Sequence, residues 1–142
     1  MIGYFGNPAA TAETVDGDGW LRTGDAGTMD ADGYVYLADR IKDMIITGGE
    51  NVYPAEVENA LYSHPQVSDV AVIGVPDAKW GEAVKAVVVP VAGESPDPAE
   101  LIAHARARIA AYKAPKTIDF RDSLPRNPSG KILRRLLRDE YR

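Results

Sequence analysis

The sequence predicts an α+β fold, in which a short β-sheet is flanked by about three helices and preceded by a β-rich segment. Two observations lead to this prediction. Apolar residues alternate with polar ones in one stretch and run almost continuously in another, as they do in half-buried and central strands. Between and after these stretches, apolar residues recur at helical spacing behind proline-containing helix starts. The length of 142 residues suffices for one ordinary domain or for a small domain with an appendage.

The beginning of the chain differs in texture from the rest, because residues 1–40 are rich in Gly, Asp and Thr and carry few long apolar patterns. Residues 33–37 (GYVYL) predict a strand that is entered through a turn, and residues 20–22 (WLR) are its expected partner. A hairpin of that size buries no core of its own and is marginal in water. This segment is therefore interpreted as the edge of something larger.

From about residue 43 the pattern is that of a self-sufficient domain. Residues 44–46 (MII) predict a short strand, and a helix is expected to begin at Pro54 and to end at residues 64–65 (HP). Residues 67–75 alternate between apolar and polar side chains and predict a half-buried strand. Residues 83–91 are nearly all apolar and predict a central strand.

The remaining elements follow in the last third of the chain. Residues 97–100 (DPAE) resemble a capping box with proline at the first helical position, and apolar residues in 101–109 mark the buried face of that helix. Residues 117–120 predict a strand, and apolar positions in 132–137 predict a final amphipathic helix. The basic residues of this last helix are interpreted as a solvated face; they are Arg134, Arg135 and Arg138.

Composition excludes several classes of function. The formal net charge of −5 argues against a general nucleic-acid binder, and the lack of cysteine excludes disulfides and thiolate metal sites. Only His64 and His104 are available, so neither a multi-histidine metal site nor a pair of catalytic histidines is expected. No apolar run approaches the ~20 residues of a membrane span. No signal-peptide pattern is present at the N-terminus. We therefore expect no transmembrane segment and a cytoplasmic location.

Asp25 is the first candidate for chemistry. It ends the run RTGD at residues 22–25, and a carboxylate after a glycine turn can accept two hydrogen bonds from a vicinal diol such as that of ribose. The alternative is a turn aspartate that binds its own backbone. The residues alone leave both interpretations open.

The second candidate region comprises residues 39–43 (DRIKD) and 47–51 (TGGEN). Alternating charges before an apolar strand favour a solvated linker, which is the simpler interpretation of Lys42 and Asp43. Gly48 and Gly49 allow positive φ and the close approach of a ligand or of another backbone. They would equally form a tight hairpin turn.

The third candidate is the run PRNPSGK at residues 125–131. It differs from a phosphate-binding loop of the G-x-x-x-x-G-K-[ST] type, because Pro125 replaces the first glycine and Ile132 replaces the metal-binding hydroxyl. What remains is Lys131 at the tip of a rigid loop of proline and glycine. Lysine is a compact point charge that suits developing negative charge on a carboxylate or phosphate. The alternative is an ordinary solvated lysine.

Taken in order, these stretches resemble signatures of one family. Residues 20–25, residues 39–43 with 49–58, and residues 125–131 are similar to three ordered motifs of the adenylate-forming superfamily. That superfamily includes acyl-CoA synthetases, nonribosomal peptide adenylation domains and beetle luciferases. The resemblance extends over essentially the whole chain, and the run GGENVYP at residues 48–54 is more similar to acyl- and aryl-CoA ligases than to peptide-synthetase domains.

The resemblance implies a domain organisation. Residues 1–40 would be the C-terminal end of the large N-terminal adenylation domain, residues 41–43 the hinge, and residues 44–142 the small mobile C-terminal domain. Met1 stands where the family runs straight through, so the start of the chain is interpreted as a fragment boundary. The family's phosphate loop, its adenine-binding segment and its Mg²⁺-binding glutamate would lie upstream. The chain is therefore expected to be inactive by itself.

The resemblance also implies a two-step reaction. A carboxylate attacks the α-phosphate of Mg·ATP, which gives an acyl-adenylate and pyrophosphate, and a thiol, usually that of coenzyme A, then displaces AMP. The small domain rotates between the steps. The implied roles are nucleotide binding for Asp25 and Arg40, the hinge for Lys42, the coenzyme A tunnel for Gly48, Gly49 and Glu50, and adenylation catalysis for Lys131. ATP, Mg²⁺ and coenzyme A are the implied cofactors of the full-length enzyme, with no metal site and no tightly bound cofactor on this chain.

The implied partners are the N-terminal catalytic domain, a fatty or aromatic carboxylic acid and coenzyme A, and the unpaired first segment allows self-association. Two alternatives stay open. One is an adenylation domain that loads a carrier protein. The other is a non-catalytic interaction domain of the same fold, against which the joint presence of Asp25, Gly49 and Lys131 argues.

Overall fold

The structure, a computed structural model, describes residues 1–141 and divides the chain into two compact units. The first unit is Met1–Lys42 and the second is Asp43–Arg142. The division falls inside the segment that was expected to act as the hinge. The function of that segment as a hinge stays a prediction.

The first unit contains one short helix and one two-stranded sheet. Helix α1 (Pro8–Thr14) begins behind Asn7, whose side-chain oxygen accepts a hydrogen bond from the backbone of the first turn. Strands β1 (Asp25–Met29) and β2 (Val35–Arg40) pair in antiparallel register. The large apolar side chains of this hairpin are mostly exposed, as illustrated by Leu37 at 72%.

The prediction that residues 20–22 pair with the strand at residues 33–37 was wrong. Strand β2 pairs with β1 and not with residues 20–22, because these residues fold back toward the end of α1, where Leu21 forms an isolated bridge with Val15. The turn between them is held by Asp16, whose Oδ1 accepts hydrogen bonds from the backbone amides of Asp18 and Trp20. A side-chain-held turn of this kind competes with the longer-range strand pairing that the apolar pattern suggested.

The second unit is built on a five-stranded sheet. Its strands are β3 (Ile45–Thr47), β4 (Glu50–Val52), β5 (Val67–Asp77), β6 (Gly81–Pro90) and β7 (Thr117–Phe120). The antiparallel order is β4-β3-β6-β5, and β7 joins β6 in parallel register. The two long strands are those predicted from the alternating and the continuous apolar stretches, and the predicted strand at residues 117–120 is confirmed as well.

Three helices complete the second unit, so the predicted α+β class with about three helices is confirmed. Helices α2 (Pro54–Tyr62) and α3 (Pro98–Arg106) each begin with proline in the first turn, as predicted. Asp97 caps α3 by accepting a hydrogen bond of 2.9 Å from the amide of Ala99. The last helix is α4 (Arg134–Asp139).

Helix α4 is shorter than the predicted amphipathic helix. Ile132 and Leu133 precede it, because the amide of Leu133 donates to the carbonyl of Pro125 at 2.8 Å and so belongs to the loop before the helix. Leu137 is fully buried, whereas Leu136 is 42% exposed. One leucine of the helix therefore enters the core.

The sheet is covered on both faces. One face carries the larger core cluster, to which α2 and α3 contribute Val57, Leu61, Leu101 and Ala105. The other face carries Ala71, Ile73 and Val87, and the C-terminal segment covers it with Leu124 and Leu137. The second unit thus has an apolar layer on each side of one sheet.

The interpretation of the final basic residues as a solvated face was wrong for two of them. Arg138 Nη1 lies 3.1 Å from Asp43 Oδ1, and Arg134 Nη2 lies 2.7 Å from Glu58 Oε2. The side chains of Asp43 and Glu58 are each only 11% exposed, and carboxylates so far removed from water need cationic partners. Arg135 is exposed.

The same ion pairs correct the interpretation of Asp43 as part of a solvated linker. Its carboxylate faces both Arg134 and Arg138 of α4.

None of the helices within residues 1–141 has the length and apolar character needed to cross a membrane.

Candidate functional site

Asp25 and Arg40, the two residues predicted to bind nucleotide, lie side by side in the first unit. They are register partners at one end of the β1–β2 hairpin, and Arg40 Nε lies 2.9 Å from Asp25 Oδ1. Their side chains are 29% and 51% exposed, respectively. A carboxylate has about four acceptor positions. An ion pair with Arg40 therefore leaves Asp25 with capacity for further donors such as hydroxyl groups.

Backbone contacts hold this pair in place. The amide of Asp25 donates to Thr23 Oγ1 at 3.1 Å, and the amide of Ile41 donates to the carbonyl of Gly24 at 2.9 Å. Gly24 has φ +76°, a conformation that L side chains rarely adopt. The glycine turn thus directs the carboxylate of Asp25 toward β2.

Lys42 is exposed in a single 3₁₀ turn, Ile41–Asp43, at the end of the first unit. The residue after it, Asp43, is fixed to α4 by Arg138. The role of Lys42 as a hinge stays a prediction.

Gly48 and Gly49 form the two-residue turn of the β3–β4 hairpin. Their φ angles are +61° and +85°, and positive φ at both central positions is the requirement of a type I′ turn. The tight-turn interpretation is therefore correct for their local structure. A Cβ atom on Gly48 would lie 2.6 Å from Trp80 Cε3, whereas one on Gly49 would meet nothing within 4 Å. Gly48 thus permits the close approach of an aromatic ring.

A groove with a volume of about 450 Å³ lies beside this turn in the second unit. Among its lining residues are Gly48, Glu50, Trp80, Arg106, Tyr112 and Lys116. Two of the three predicted tunnel residues, Gly48 and Glu50, line the groove, and Gly49 does not. None of Arg106, Tyr112 and Lys116 was predicted as a site residue.

The groove combines aromatic faces with cations. Lys116 Nζ lies 4.8 Å from the ring centroid of Trp80, and Trp80 is 40% exposed. Aromatic rings can stack on the base of a nucleotide, and lysine and arginine can bind the phosphates of that nucleotide. The local sequence around Tyr112 would not have revealed this site, because its lining residues come from separate parts of the chain, including β4 and the end of α3.

The loop that carries Tyr112 is tied to α2. Lys113 Nζ lies 2.7 Å from Glu56 Oε2, and this hydrogen bond raises the pKa of Lys113 above its ordinary value. Glu56 occupies the first turn of α2, where a negative charge is favoured by the helix dipole. The Lys113–Glu56 pair therefore fixes one wall of the groove.

Lys131 lies just after the tip of a narrow hairpin-like loop, whose turn is at residues 128–129 and which is closed by a bridge between Arg126 and Ile132. The backbone of Lys131 is held twice by Asn127. The amide of Lys131 donates to Asn127 Oδ1 at 2.8 Å, and its carbonyl accepts from the amide of Asn127 at 2.9 Å. Gly130, with φ +82°, completes the turn.

The side chain of Lys131 is exposed, and within residues 1–141 its ammonium group forms no hydrogen bond or ion pair. The loop therefore presents a free cation on a fixed backbone. The sequence identified Lys131 but missed Asn127, although an Asn followed by Pro, Ser and Gly is typical of a side-chain-capped turn.

In the part of the chain that the structure describes, no group of three or more His, Cys, Asp and Glu side chains is placed to hold a metal ion. Asp25 and Glu50, the acidic residues of the candidate sites, therefore belong to no such group.

Comparison with known proteins identifies the family to which the chain belongs. Residues 56–131, more than half of the chain, match the family described as AMP-binding enzyme C-terminal domain. A feruloyl-CoA synthase from an Amycolatopsis species is 56% identical over 141 residues, which cover 99% of this chain and 28% of that protein. A fatty acid–[acyl-carrier-protein] ligase, ScoC, from Streptomyces coeruleorubidus is 54% identical over 141 residues, which cover 99% of this chain and 27% of that protein.

Solved structures lead to the same group. The crystal structure of ATP-bound MatB from Rhodopseudomonas palustris superimposes with a TM-score of 0.90 at 43% identity, over 98% of this chain and 28% of that one. The chain thus spans a little over a quarter of the length of the relatives that it matches. The resemblance to adenylate-forming enzymes is confirmed, and the chain belongs to the family of AMP-binding enzyme C-terminal domains.

Proposed function

We propose that this chain is the C-terminal part of an ATP-dependent, AMP-forming acyl-CoA synthetase. The full reaction converts a carboxylate, ATP and coenzyme A into acyl-CoA, AMP and pyrophosphate. The observation that carries the proposal is the Lys131 loop, in which the backbone is fixed by Asn127 while the ammonium group is free. In this enzyme the chain supplies the adenylation lysine and the surface at which the thioester forms.

Lys131 acts in the first step. A carboxylate oxygen attacks the α-phosphorus of ATP, the bond to the β-phosphate breaks, and pyrophosphate leaves. Lys131 lies between the carboxylate and the α-phosphate and stabilises the negative charge of the transition state. Asp25 accepts hydrogen bonds from the ribose hydroxyls, and Arg40 contacts the ribose or the phosphates. The pairing and partial exposure of Asp25 and Arg40 support this shared role.

The groove beside the β3–β4 turn serves the second step. The sulfur of the thiol attacks the acyl carbonyl carbon, AMP leaves with the bonding electrons, and the thiol proton is lost. Gly48 and Glu50 line the path of the pantetheine arm inside the groove. Gly49, exposed in the same turn with open space beside it, borders that path and lets the arm approach the backbone closely. The aromatic and cationic lining of the groove supports binding of the nucleotide end of coenzyme A. Lys42 is the hinge about which the small domain turns between the steps.

Residues 1–40 belong, in this proposal, to the large adenylation domain, and residues 44–142 form the mobile domain. Magnesium ions that accompany ATP supply charge neutralisation at the phosphates. The described residues offer no metal-binding group of their own, so no step assigned to this chain passes through the metal. The chain by itself is expected to be inactive.

A fatty or aromatic acid is the proposed substrate, in keeping with the similarity to a feruloyl-CoA synthase. A second candidate function is transfer of the acyl group to a carrier protein, which the 54% identity to ScoC favours. Both acceptors present a thiol to the same face. Supplying acyl-adenylate with either coenzyme A or a thiol-bearing carrier protein distinguishes them, because the true acceptor gives the faster thioester formation.

The adenylation role is tested in a chimera in which this chain replaces the corresponding segment of the Amycolatopsis feruloyl-CoA synthase. Lys131→Ala should slow pyrophosphate release with ferulate by about 10²- to 10³-fold, the usual effect of losing one preorganised electrostatic contact. Arg135→Ala removes another exposed cation of the same segment and should have little effect. A folded chimera without adenylation activity, or equal effects of the two variants, would contradict the proposal.

A further inference from the structure

An ion pair outside the candidate sites ties the Lys131 loop to the sheet. Arg126 Nη2 contacts Asp69 Oδ2, and the hydroxyl of Tyr62 donates to the other oxygen of the same carboxylate. The side chain of Asp69 is 20% exposed and that of Arg126 is 41% exposed. The loop is therefore joined to β5, and through Tyr62 to the end of α2.

A β-bulge accounts for the direction in which Asp69 points. The register of β5 against β6 shifts between Val67 and Asp69, so the strict alternation of faces is broken there. Asp69 pairs with Val89, which packs against the core cluster on the face of the sheet that the C-terminal segment covers. The bulge thus places this carboxylate on the face over which the Lys131 loop runs.

The guanidinium group of Arg126 links Asp69 to the neighbour of Lys131. While Nη2 engages Asp69, Nη1 donates to the carbonyl of Gly130 at 2.6 Å. A planar guanidinium with several donors can span two acceptors in a fixed geometry, which a lysine ammonium cannot. Arg126 therefore fixes the peptide group between Gly130 and Lys131 relative to β5.

Asn127 and Arg126 constrain different properties of the loop. Asn127 closes the turn internally, since its contacts with Lys131 lie within the loop. The contact of Arg126 with Asp69 reaches outside the loop. Asn127 thus sets the shape of the turn, and the Asp69–Arg126 pair sets where that turn lies on the sheet.

The charge state of Asp69 suits this arrangement. Burial would raise the pKa of Asp69, but hydrogen bonds from Tyr62 and Arg126 outweigh that effect, and its pKa lies below the ordinary value. The same contacts raise the pKa of Arg126. Both groups are therefore charged near neutral pH.

We propose that Asp69 and Arg126 are positioning residues for Lys131, which fix the loop so that the ammonium group reaches the reacting phosphate. This inference rests on the proposed adenylation role of Lys131. A lysine on an exposed loop has many accessible positions, and displacement of a catalytic group by about 1 Å can cost about 10²-fold in rate. The pair acts through Lys131 and does not itself touch the substrates.

The first test uses the chain itself. Asp69→Asn should increase amide exchange at Gly130 and Lys131 by about fivefold, the ratio that corresponds to loss of a well-formed surface ion pair. Exchange at Leu101 in α3 should not change. Unaltered exchange at Gly130 and Lys131 would show that the pair does not hold the loop.

The second test measures both half-reactions in the chimera with the Amycolatopsis enzyme. Asp69→Asn and Arg126→Gln should each slow adenylation by about 10- to 10²-fold. Neither should slow thioester formation from a supplied acyl-adenylate. A general loss of structure would slow that step as well. The double variant should be no slower than the slower single variant, because both changes break one contact. Glu140→Gln removes a different arginine–carboxylate pair, with Arg121, and should leave both half-reactions unchanged.

Lys131→Ala separates the two levels of the proposal. If Lys131→Ala abolishes adenylation while Asp69→Asn and Arg126→Gln leave it intact, or if the effects of these two variants simply multiply, the positioning role is wrong. If Lys131→Ala itself leaves adenylation intact, the proposed function fails. Arg126→Lys keeps the positive charge but not the planar guanidinium with its two donor groups, so its adenylation rate should stay below that of the unsubstituted chimera.

Discussion

At the scale of single residues, three cations within a short stretch of the chain have different environments. Arg134 and Arg138 are paired with carboxylates of low exposure, whereas the ammonium group of Lys131 extends from its loop without a partner in the described part of the chain. A cation that neutralises a buried carboxylate is committed to the fold, because its removal leaves an uncompensated charge. Lys131 is therefore the one of these three that is available to a ligand.

The two glycines of the β3–β4 turn give a prediction at the same scale. Gly48→Ala and Gly49→Ala should both destabilise the chain, since an L residue at positive φ costs about 1 to 2 kcal/mol. Gly48→Ala should be worse, because its methyl group would also lie 2.6 Å from a ring carbon of Trp80. Urea unfolding of the two variants measures the difference. Equal losses would mean that Trp80 does not pack against Gly48 as described.

Individual residues also show where the sequence was informative. The proline and glycine around Lys131 indicate a rigid loop, and this signal is local, but the role of Lys131 was assigned by resemblance. The partnership of Arg126 with Asp69 could not be predicted, because it joins residues 57 positions apart through the register of a strand. Asp25 and Arg40 were assigned a common role by resemblance, but only the hairpin register brings them into contact.

At the scale of elements, the predictions succeeded where a pattern was both long and local. Helices α2 and α3 follow from proline in their first turns and from apolar residues at helical spacing, and strands β5 and β6 follow from alternating and continuous apolar stretches. The prediction failed at residues 20–22, where the Asp16 side chain holds a turn. It failed again at the start of α4, where residue 133 is bound to the preceding loop. In both places a specific hydrogen bond overrode the apolar pattern.

The contact between α2 and α3 predicts a pH dependence. His104 Nε2 lies 2.8 Å from Ser63 Oγ at the end of α2, and its ring lies 4.8 Å from that of His64. Burial, then the charges of Arg108 and His64, lower the pKa of His104. The folded state therefore binds fewer protons than the unfolded state just below the ordinary histidine pKa of about 6.5, so stability falls as the pH drops through that value.

Thermal unfolding at several pH values between neutrality and pH 5 measures this effect. The melting temperature of the unsubstituted chain should fall over this interval, and the fall should be smaller in His104→Gln. Identical curves for the two proteins, or a chain that gains stability as the pH drops, would show that the neutral form of His104 is not the one favoured by folding.

At the scale of the whole molecule, the two units differ in how well they bury their own apolar residues. The second unit has a core on each face of its sheet. The first unit leaves large side chains exposed, including Trp20 at 75%, Leu37 at 72% and Val35 at 64%. Apolar surface of this kind is normally covered by another element or another chain.

This difference predicts that residues 43–142 fold by themselves. Expressed alone, they should unfold cooperatively, and amides of the central strands such as Val72 and Val87 should be strongly protected from exchange. In the entire chain, the amide of Leu37 should exchange much faster than these, because the first unit has so little core. Equal protection in both units would contradict the prediction.

The central claim is that two parts of the second unit serve two different reactions, and the half-reactions of the chimera test it most directly. Lys131→Ala should slow adenylate formation by about 10²- to 10³-fold and spare thioester formation from a supplied acyl-adenylate. Gly49→Leu should do the opposite, because its side chain would project into the open space beside the turn and obstruct the pantetheine path. This crossed pattern is the expected result. Equal slowing of both steps by Lys131→Ala, or a chief effect of Gly49→Leu on adenylation, would contradict the assignment.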